Sequence, residues 1–142
     1  MIMTAKKNKG LFTGLGVIQL FIGLGAVGGG LALALAPSGS ILGMPLEMLE
    51  RTPFSNYLVP GIVLLVVIGL GNLAGSAASF TQHRNAAETA IILGVFLVAW
   101  ITLQVYWFAD FHWLHALYLG LGLLEFVLGW SGFRARTLQV GP

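Results

Sequence analysis

The sequence predicts an all-α membrane protein: a four-transmembrane-helix bundle, both termini cytoplasmic, with a short outer interfacial helix between helices 1 and 2. Three observations carry this expectation. Only 8% of the 142 residues are charged and 57% are hydrophobic, whereas a soluble domain carries roughly 25% charged residues. The apolar residues form four long runs, and about 20 such residues cross a hydrocarbon core as a helix. The charges fall in short islands between the runs, six of the seven Lys and Arg toward one side. A β-barrel is excluded, because its strands would alternate apolar and polar residues, while Ile62-Val63-Leu64-Leu65-Val66-Val67-Ile68 is apolar throughout.

The first helix is expected at about Leu11 to Ala36, after Lys6, Lys7 and Lys9. Its basic start and the Ala34-Leu35-Ala36 triplet imitate a secretory signal, but the apolar run exceeds the usual 7 to 15 residues. Pro37 would also follow the cut, so a retained helix is expected. In the outer loop from Pro37 to Arg51, Pro45 starts a short helix whose Leu46, Met48 and Leu49 lie on the interface while Glu47, Glu50 and Arg51 face water. The second helix spans about Tyr57 to Phe80. Thr52-Pro53 suits an N-cap followed by proline at the first helical position, which allows a start as early as Pro53, with Pro60 kinking the first turns. The third helix, about Ala87 to Phe108, is opened by Asn85 and Glu88 at capping-box spacing. The fourth, about Trp113 to Phe133, ends at Arg134 and Arg136. Together they use most of residues 1–142 as a single membrane domain.

Lys and Arg accumulate on the cytoplasmic side. Lys6, Lys7, Lys9, Arg84, Arg134 and Arg136 therefore place both termini inside, and Arg51, Glu47, Glu50 and Asp110 lie outside. The expected setting is the lipid bilayer of a bacterial or archaeal cytoplasmic membrane. The pI of about 9.3 rests on a net charge of only +2, so no nucleic-acid partner is expected.

An internal echo joins Gly14-Leu15-Gly16-Val17-Ile18-Gln19-Leu20-Phe21-Ile22-Gly23 to Gly120-Leu121-Gly122-Leu123-Leu124-Glu125-Phe126-Val127-Leu128-Gly129. It reads either as a duplication or as a product of a composition rich in Gly and Leu. A related Gly69-Leu70-Gly71 lies in helix two.

Glu125 is the most informative single residue, since a carboxyl within a membrane span is costly and faces the bundle interior or a water-filled cavity. At about 1.5 Å per residue it lies roughly 12 Å from the inner end of helix four, and Gln19 and Asn72 reach the same depth on helices one and two. The three are expected to form one polar layer, with a neutral Glu125 bonded to Gln19 or Asn72. That layer reads either as interhelical glue or as a proton, cation or ligand site.

Gly10/Gly14, Gly25/Gly29 and Gly71/Gly75 have the GxxxG spacing that lets helix backbones approach closely. Gly28-Gly29-Gly30 lacks the following lysine of a phosphate loop, so packing within the chain or between copies is expected there. At the outer end Gln104, Tyr106, Trp107, Asp110, His112, Trp113, His115 and Tyr118 crowd together. They read as an aromatic belt at the headgroup level or as a site, since Asp110, His112 and His115 are all metal-ligand types and a neutral histidine can hold a haem or pigment metal. The two histidines are three apart, not in the HExxH arrangement, so no metal site is assigned. His83, beside Arg84, reads as a solvated loop residue. The absence of cysteine excludes thiolate chemistry, and Ser76, Ser79 and Ser131 have no histidine base at their depth. No catalytic residue or cofactor is assigned.

The stretch Leu117 to Gly129, with its glycine-flanked Glu125, together with four short helices and a Gly-rich helix one, resembles the small bacterial four-helix membrane proteins of the broad DoxX-like kind. Some members are accessory subunits linked to quinone-dependent redox systems. The resemblance implies that Glu125 and its neighbours line a small-ligand or partner site, and carries no catalytic residue across.

The leading expectation is a non-enzymatic accessory or binding subunit that packs against itself as a homo-oligomer or against a larger membrane complex, contacting lipid or quinone near Glu125. The alternative is a small oligomeric proton-coupled transporter or channel using Glu125. A third is a metal, haem or pigment site at His112 and His115.

Overall fold

The computed structural model describes residues 2–108 and 111–140, with side chains over 8–108 and 111–138; Asp110 lies outside the described residues. Helix α1 (Ile2–Leu35) leads through two 3-10 turns (Ser40–Leu42 and Leu46–Leu49) to α2 (Leu58–Val63). The chain then continues through a π-helical segment (Leu64–Leu70) into α3 (Gly71–Phe80), and closes with α4 (Ala86–Phe108) and α5 (Trp113–Val140). Four stretches are long and apolar enough to cross a membrane: Asn8–Leu35, Leu58–Phe80, Ala86–Phe108 and Trp113–Leu138. No strand occurs among the described residues.

The helices outrun their apolar cores at both ends of the chain. An apolar run marks the hydrocarbon boundary, and nothing in the basic residues beyond it stops a helix, so α1 begins well before Leu11 and α5 continues past Phe133. The second and third spans start within one residue of the expected Tyr57 and Ala87, but the local signals at both starts act differently. The second span opens at Leu58 rather than near Pro53, because Thr52 instead folds its own turn: its hydroxyl donates to Leu49 O (2.8 Å) and accepts from the Phe54 N–H (3.1 Å). Before α4, His83 Nδ1 accepts from the Asn85 N–H at 3.1 Å, in place of the side-chain pair of Asn85 with Glu88.

The chain forms two hairpins. Helix α1 packs along the whole second span and α4 packs along α5, while α1 also meets α5 and α3 meets α4, closing the bundle. Both hairpins close on glycines spaced seven apart. On α1 these are Gly16, Gly23 and Gly30, where an added Cβ would stand 2.8 Å from the Phe80 ring, 2.8 Å from the Leu73 side chain and 2.5 Å from the Leu65 nitrogen. On α5 they are Gly122 and Gly129, with Gly94 of α4 opposite, where a Cβ would stand 2.8 Å from the Phe126 nitrogen. Small residues admit this approach, and dispersion at short range is what holds apolar helices together in lipid. The outward faces are apolar: Val17, Phe21, Leu24, Ile92, Val95 and Val127 are all exposed.

At one end, Arg136 of α5 donates to Arg84 O (2.5 Å) and Gln82 O (2.9 Å) of the α3–α4 turn, and its guanidinium sits 4.8 Å from the Phe12 ring of α1. The first turns of α1 around Phe12 and the end of α5 around Arg136 therefore gather at the same end of the bundle as that turn. The opposite end is covered by the 37–57 loop. Its Leu49 is buried against Leu33 and Tyr57, while Glu47, Glu50 and Arg51 are exposed.

Tyr57 ties this cover down. Its ring is buried, its hydroxyl donates to Pro45 O at 2.7 Å and its N–H to Pro37 O at 2.8 Å. Burial first, and the Glu47 carboxylate second, push the hydroxyl above its ordinary value of 10.0. The folded cover thus holds this proton more tightly than the unfolded chain does. Its stabilisation is complete below the unfolded value and is lost as pH rises through the folded one. Tyr57→Phe removes one hydrogen bond worth about 1 kcal/mol, so trypsin cleavage after the exposed Arg51 is expected to speed up roughly fivefold at pH 8. Equal cleavage rates in the variant and the parent would show that the bond does not hold the cover.

Candidate functional site

Two polar features occupy the bundle interior, one above the other. The lower one is a layer of buried side chains. Gln19, Asn72, Ser76, Ser79 and Glu125 are each at most 3% exposed, and all five sit in the apolar spans with no charged residue beside them in sequence. The Ser79 hydroxyl donates to Gln19 Oε1 (2.6 Å), and Gln19 Nε2 donates to Glu125 Oε1 (3.1 Å). One amide on α1 therefore bridges α3 to α5.

Asn72 shares the layer but not this chain of bonds. Its Nδ2 donates to Ile68 O (2.8 Å) at the lower end of the π segment, where Gly71 N–H reaches back five residues to Val66 O. Ile68 O also accepts from the Gly71 N–H, so Asn72 adds a second donor to that carbonyl. Ser76 donates to Gly16 O (2.7 Å), pinning α3 to α1 at one of the glycine contacts. Two buried acceptors, Glu125 Oε2 and Asn72 Oδ1, have no hydrogen-bond partner among the described residues.

Ser76 and Ser79 are the members of this layer that the sequence reading left unassigned. The available signal was their spacing from Asn72, four and seven residues, which places all three on one helix face. Gly75 belongs here too, because a Cβ on it would stand 2.8 Å from Gln19 Nε2. Of the other expected packing glycines, Gly71 faces Leu93 at 3.0 Å and Gly29 faces Leu64 at 3.3 Å. Gly25 admits the Tyr118 hydroxyl, which a side chain there would displace. Gly10 and Gly14 face open space.

Above the layer, Ile22, Ala26, Ile68, Leu97 and Ile101 form an apolar cluster. It floors the upper feature, a cavity of about 630 Å³ between all four spans and the outer loop. Gly25, Gly29 and Leu33 of α1, Leu64 and Ile68 of the second span, Met44 and Met48 of the loop, and Trp100, Gln104 and Phe108 of α4 line it. Helix α5 and the residue before it contribute His112, His115 and Tyr118. The structure thus brings Gly25 and Gly29 together with Gln104, His112, His115 and Tyr118, which the sequence reading had placed in separate groups. Glu125 is not in the lining.

The histidines are engaged through Nδ1. His115 Nδ1 accepts from the His112 N–H (3.0 Å) and His112 Nδ1 accepts from the Leu114 N–H (3.3 Å), so both cap the start of α5. A neutral imidazole accepting at Nδ1 carries its proton on Nε2. On His112 this puts a donor at Nε2, whereas a metal or haem iron needs a bare nitrogen. Among the described residues no group of three His, Cys, Asp or Glu is placed to hold a metal. Comparisons with protein-family models, with curated proteins and with solved structures give no match.

Proposed function

We propose that this chain is a non-enzymatic binding or accessory subunit of a bacterial or archaeal cytoplasmic membrane, with both termini inside, that holds an apolar molecule of the lipid or quinone class. The observation that carries the reading is the cavity of about 630 Å³ lined by four spans and the outer loop, open at Gly25, Gly43 and His112. Ligand sites are typically 300–1,000 Å³, mostly apolar, with a few placed polar groups, and this lining fits that description. The distribution of Lys and Arg supports the orientation. Exposed apolar faces on every span suit lipid, further copies of the chain or a larger complex equally well.

The sequence reading set the ligand near Glu125. The cavity favours a seat in the outer half instead, with the apolar cluster between the ligand and the Gln19–Glu125 bond. That cluster also weighs against a continuous polar path, and hence against the transporter reading. Native mass spectrometry of the chain, gently extracted from its source membrane, is expected to find one small apolar molecule bound per chain. Gly29→Leu, whose Cβ would meet only the tip of Leu64, adds bulk to the cavity lining and is expected to abolish the bound mass while the bundle still forms. A wild-type chain with no bound molecule, or a variant that keeps it, would overturn the reading.

A further inference from the structure

We propose that the cavity selects an uncharged lipid whose head offers carbonyl oxygens, received by the Gln104 amide and the Tyr118 hydroxyl, with its hydrocarbon part toward Ile68 and Leu97. This rests on the reading that the cavity is a binding site, and adds which chemistry it accepts. Among the described residues the lining contains no Asp, Glu, Lys or Arg. A phosphate or ammonium head would be desolvated there with no counter-charge, which burial in a low-dielectric interior penalises heavily. The described lining thus favours an uncharged head over an ordinary phospholipid head.

The polar groups then decide between a neutral head and bare hydrocarbon. Neither the Tyr118 hydroxyl nor the Gln104 amide has a hydrogen-bond partner among the described residues, although both line the cavity. His112, its Nδ1 occupied by the Leu114 N–H, adds an Nε2–H at the same end. An O–H and N–H groups turned to one cavity call for acceptors, and a hydrocarbon occupant would leave them desolvated and unpaired. The opposite end of the cavity, at Ala26, Ile68 and Leu97, is wholly apolar. Gly25 fits the same scheme, since its lack of a side chain is what lets the Tyr118 hydroxyl stand beside α1.

The test uses the full chain in detergent micelles and three probes titrated by native mass spectrometry: dioctanoylglycerol, dioctanoyl phosphatidic acid and hexadecane. Dioctanoylglycerol is expected to bind one per chain at least about tenfold more tightly than either other probe. Tyr118→Phe and Gln104→Leu are each expected to weaken it by about three- to tenfold, the worth of one hydrogen bond, and to leave hexadecane unweakened. Phosphatidic acid binding as tightly as the glyceride overturns the charge argument. Hexadecane binding as tightly overturns the donor argument while leaving the cavity as a binding site. If none of the three binds, both the selectivity and the binding reading fail. The comparison of probes on the wild-type chain decides the matter even if a variant folds poorly.

Discussion

Gly30→Leu is expected to destabilise the bundle by about 3 kcal/mol or more, whereas Gly28→Leu, two residues earlier in the same glycine triplet, is expected to change stability by less than about 1 kcal/mol. Both substitutions improve helix propensity by a similar amount, about 0.5–1 kcal/mol, so the difference between them isolates the helix crossing. A Cβ at Gly30 would lie 2.5 Å from the nitrogen and 2.7 Å from the Cα of Leu65. These are backbone atoms of the π segment and cannot rotate aside. Separating α1 from the second span to admit a side chain would also lift Gly61 from Leu33 and Gly23 from Leu73, where an added Cβ would stand 2.8 Å away in each case. At Gly28 nothing lies within 4 Å, and the new side chain points to the bundle exterior. Unfolding in mixed micelles of increasing dodecyl sulfate content, followed by tryptophan fluorescence, measures both. Equal midpoints for the two variants would mean that the glycine contact does not govern the crossing.

This contrast also marks what sequence could and could not show. The four spans were legible because hydropathy alone defines them, and the expected boundaries fall close to the spans at Leu58–Phe80 and Ala86–Phe108. The depth of the polar layer was legible too, since helical rise converts residue number into height. Rise says nothing about azimuth, however. Whether Gln19 or Asn72 would meet Glu125 therefore stayed open until the structure joined Gln19 to it and turned Asn72 back on its own helix. The π segment was invisible, because Leu64 to Leu70 is as apolar in an α-helix as in a π-helix. The GxxxG spacings drew attention to pairs four apart, while the close contacts of α1 with the second span at Gly16, Gly23 and Gly30 recur every seven residues, the period that keeps one stripe facing a neighbour crossing at a shallow angle. The cavity had no sequence signature at all. It is a space between Gly29, Gln104 and Tyr118, residues brought together only by the closure of two hairpins on each other.

Gln19→Leu is expected to cost about 3 kcal/mol, because it removes two hydrogen bonds and leaves groups on two other helices buried and unpaired. The Glu125 carboxyl would lose its single hydrogen-bond partner among the described residues, and the Ser79 hydroxyl would lose its acceptor. Glu125→Gln should stay within about 1 kcal/mol of wild type, since an amide oxygen accepts from Gln19 Nε2 as a carboxyl oxygen does. Glu125→Leu should be costly on its own, stranding the Gln19 amide. The double variant Gln19→Leu with Glu125→Leu then strands only Ser79, so its cost should fall short of the sum of the singles by about 1–3 kcal/mol. That non-additivity, measured by the same unfolding assay, is the signature of a direct bond across α1 and α5. Strict additivity would show that the two residues stabilise the bundle independently. The same set separates structure from transport. A glue role requires only a hydrogen-bonding group at position 125, which glutamine supplies. Proton-coupled movement requires a group that gains and loses a proton, which glutamine cannot. Glu125→Gln with full stability and an unchanged proton flux in sealed vesicles would therefore sink the transporter reading, while full stability with flux abolished would favour it over the binding subunit.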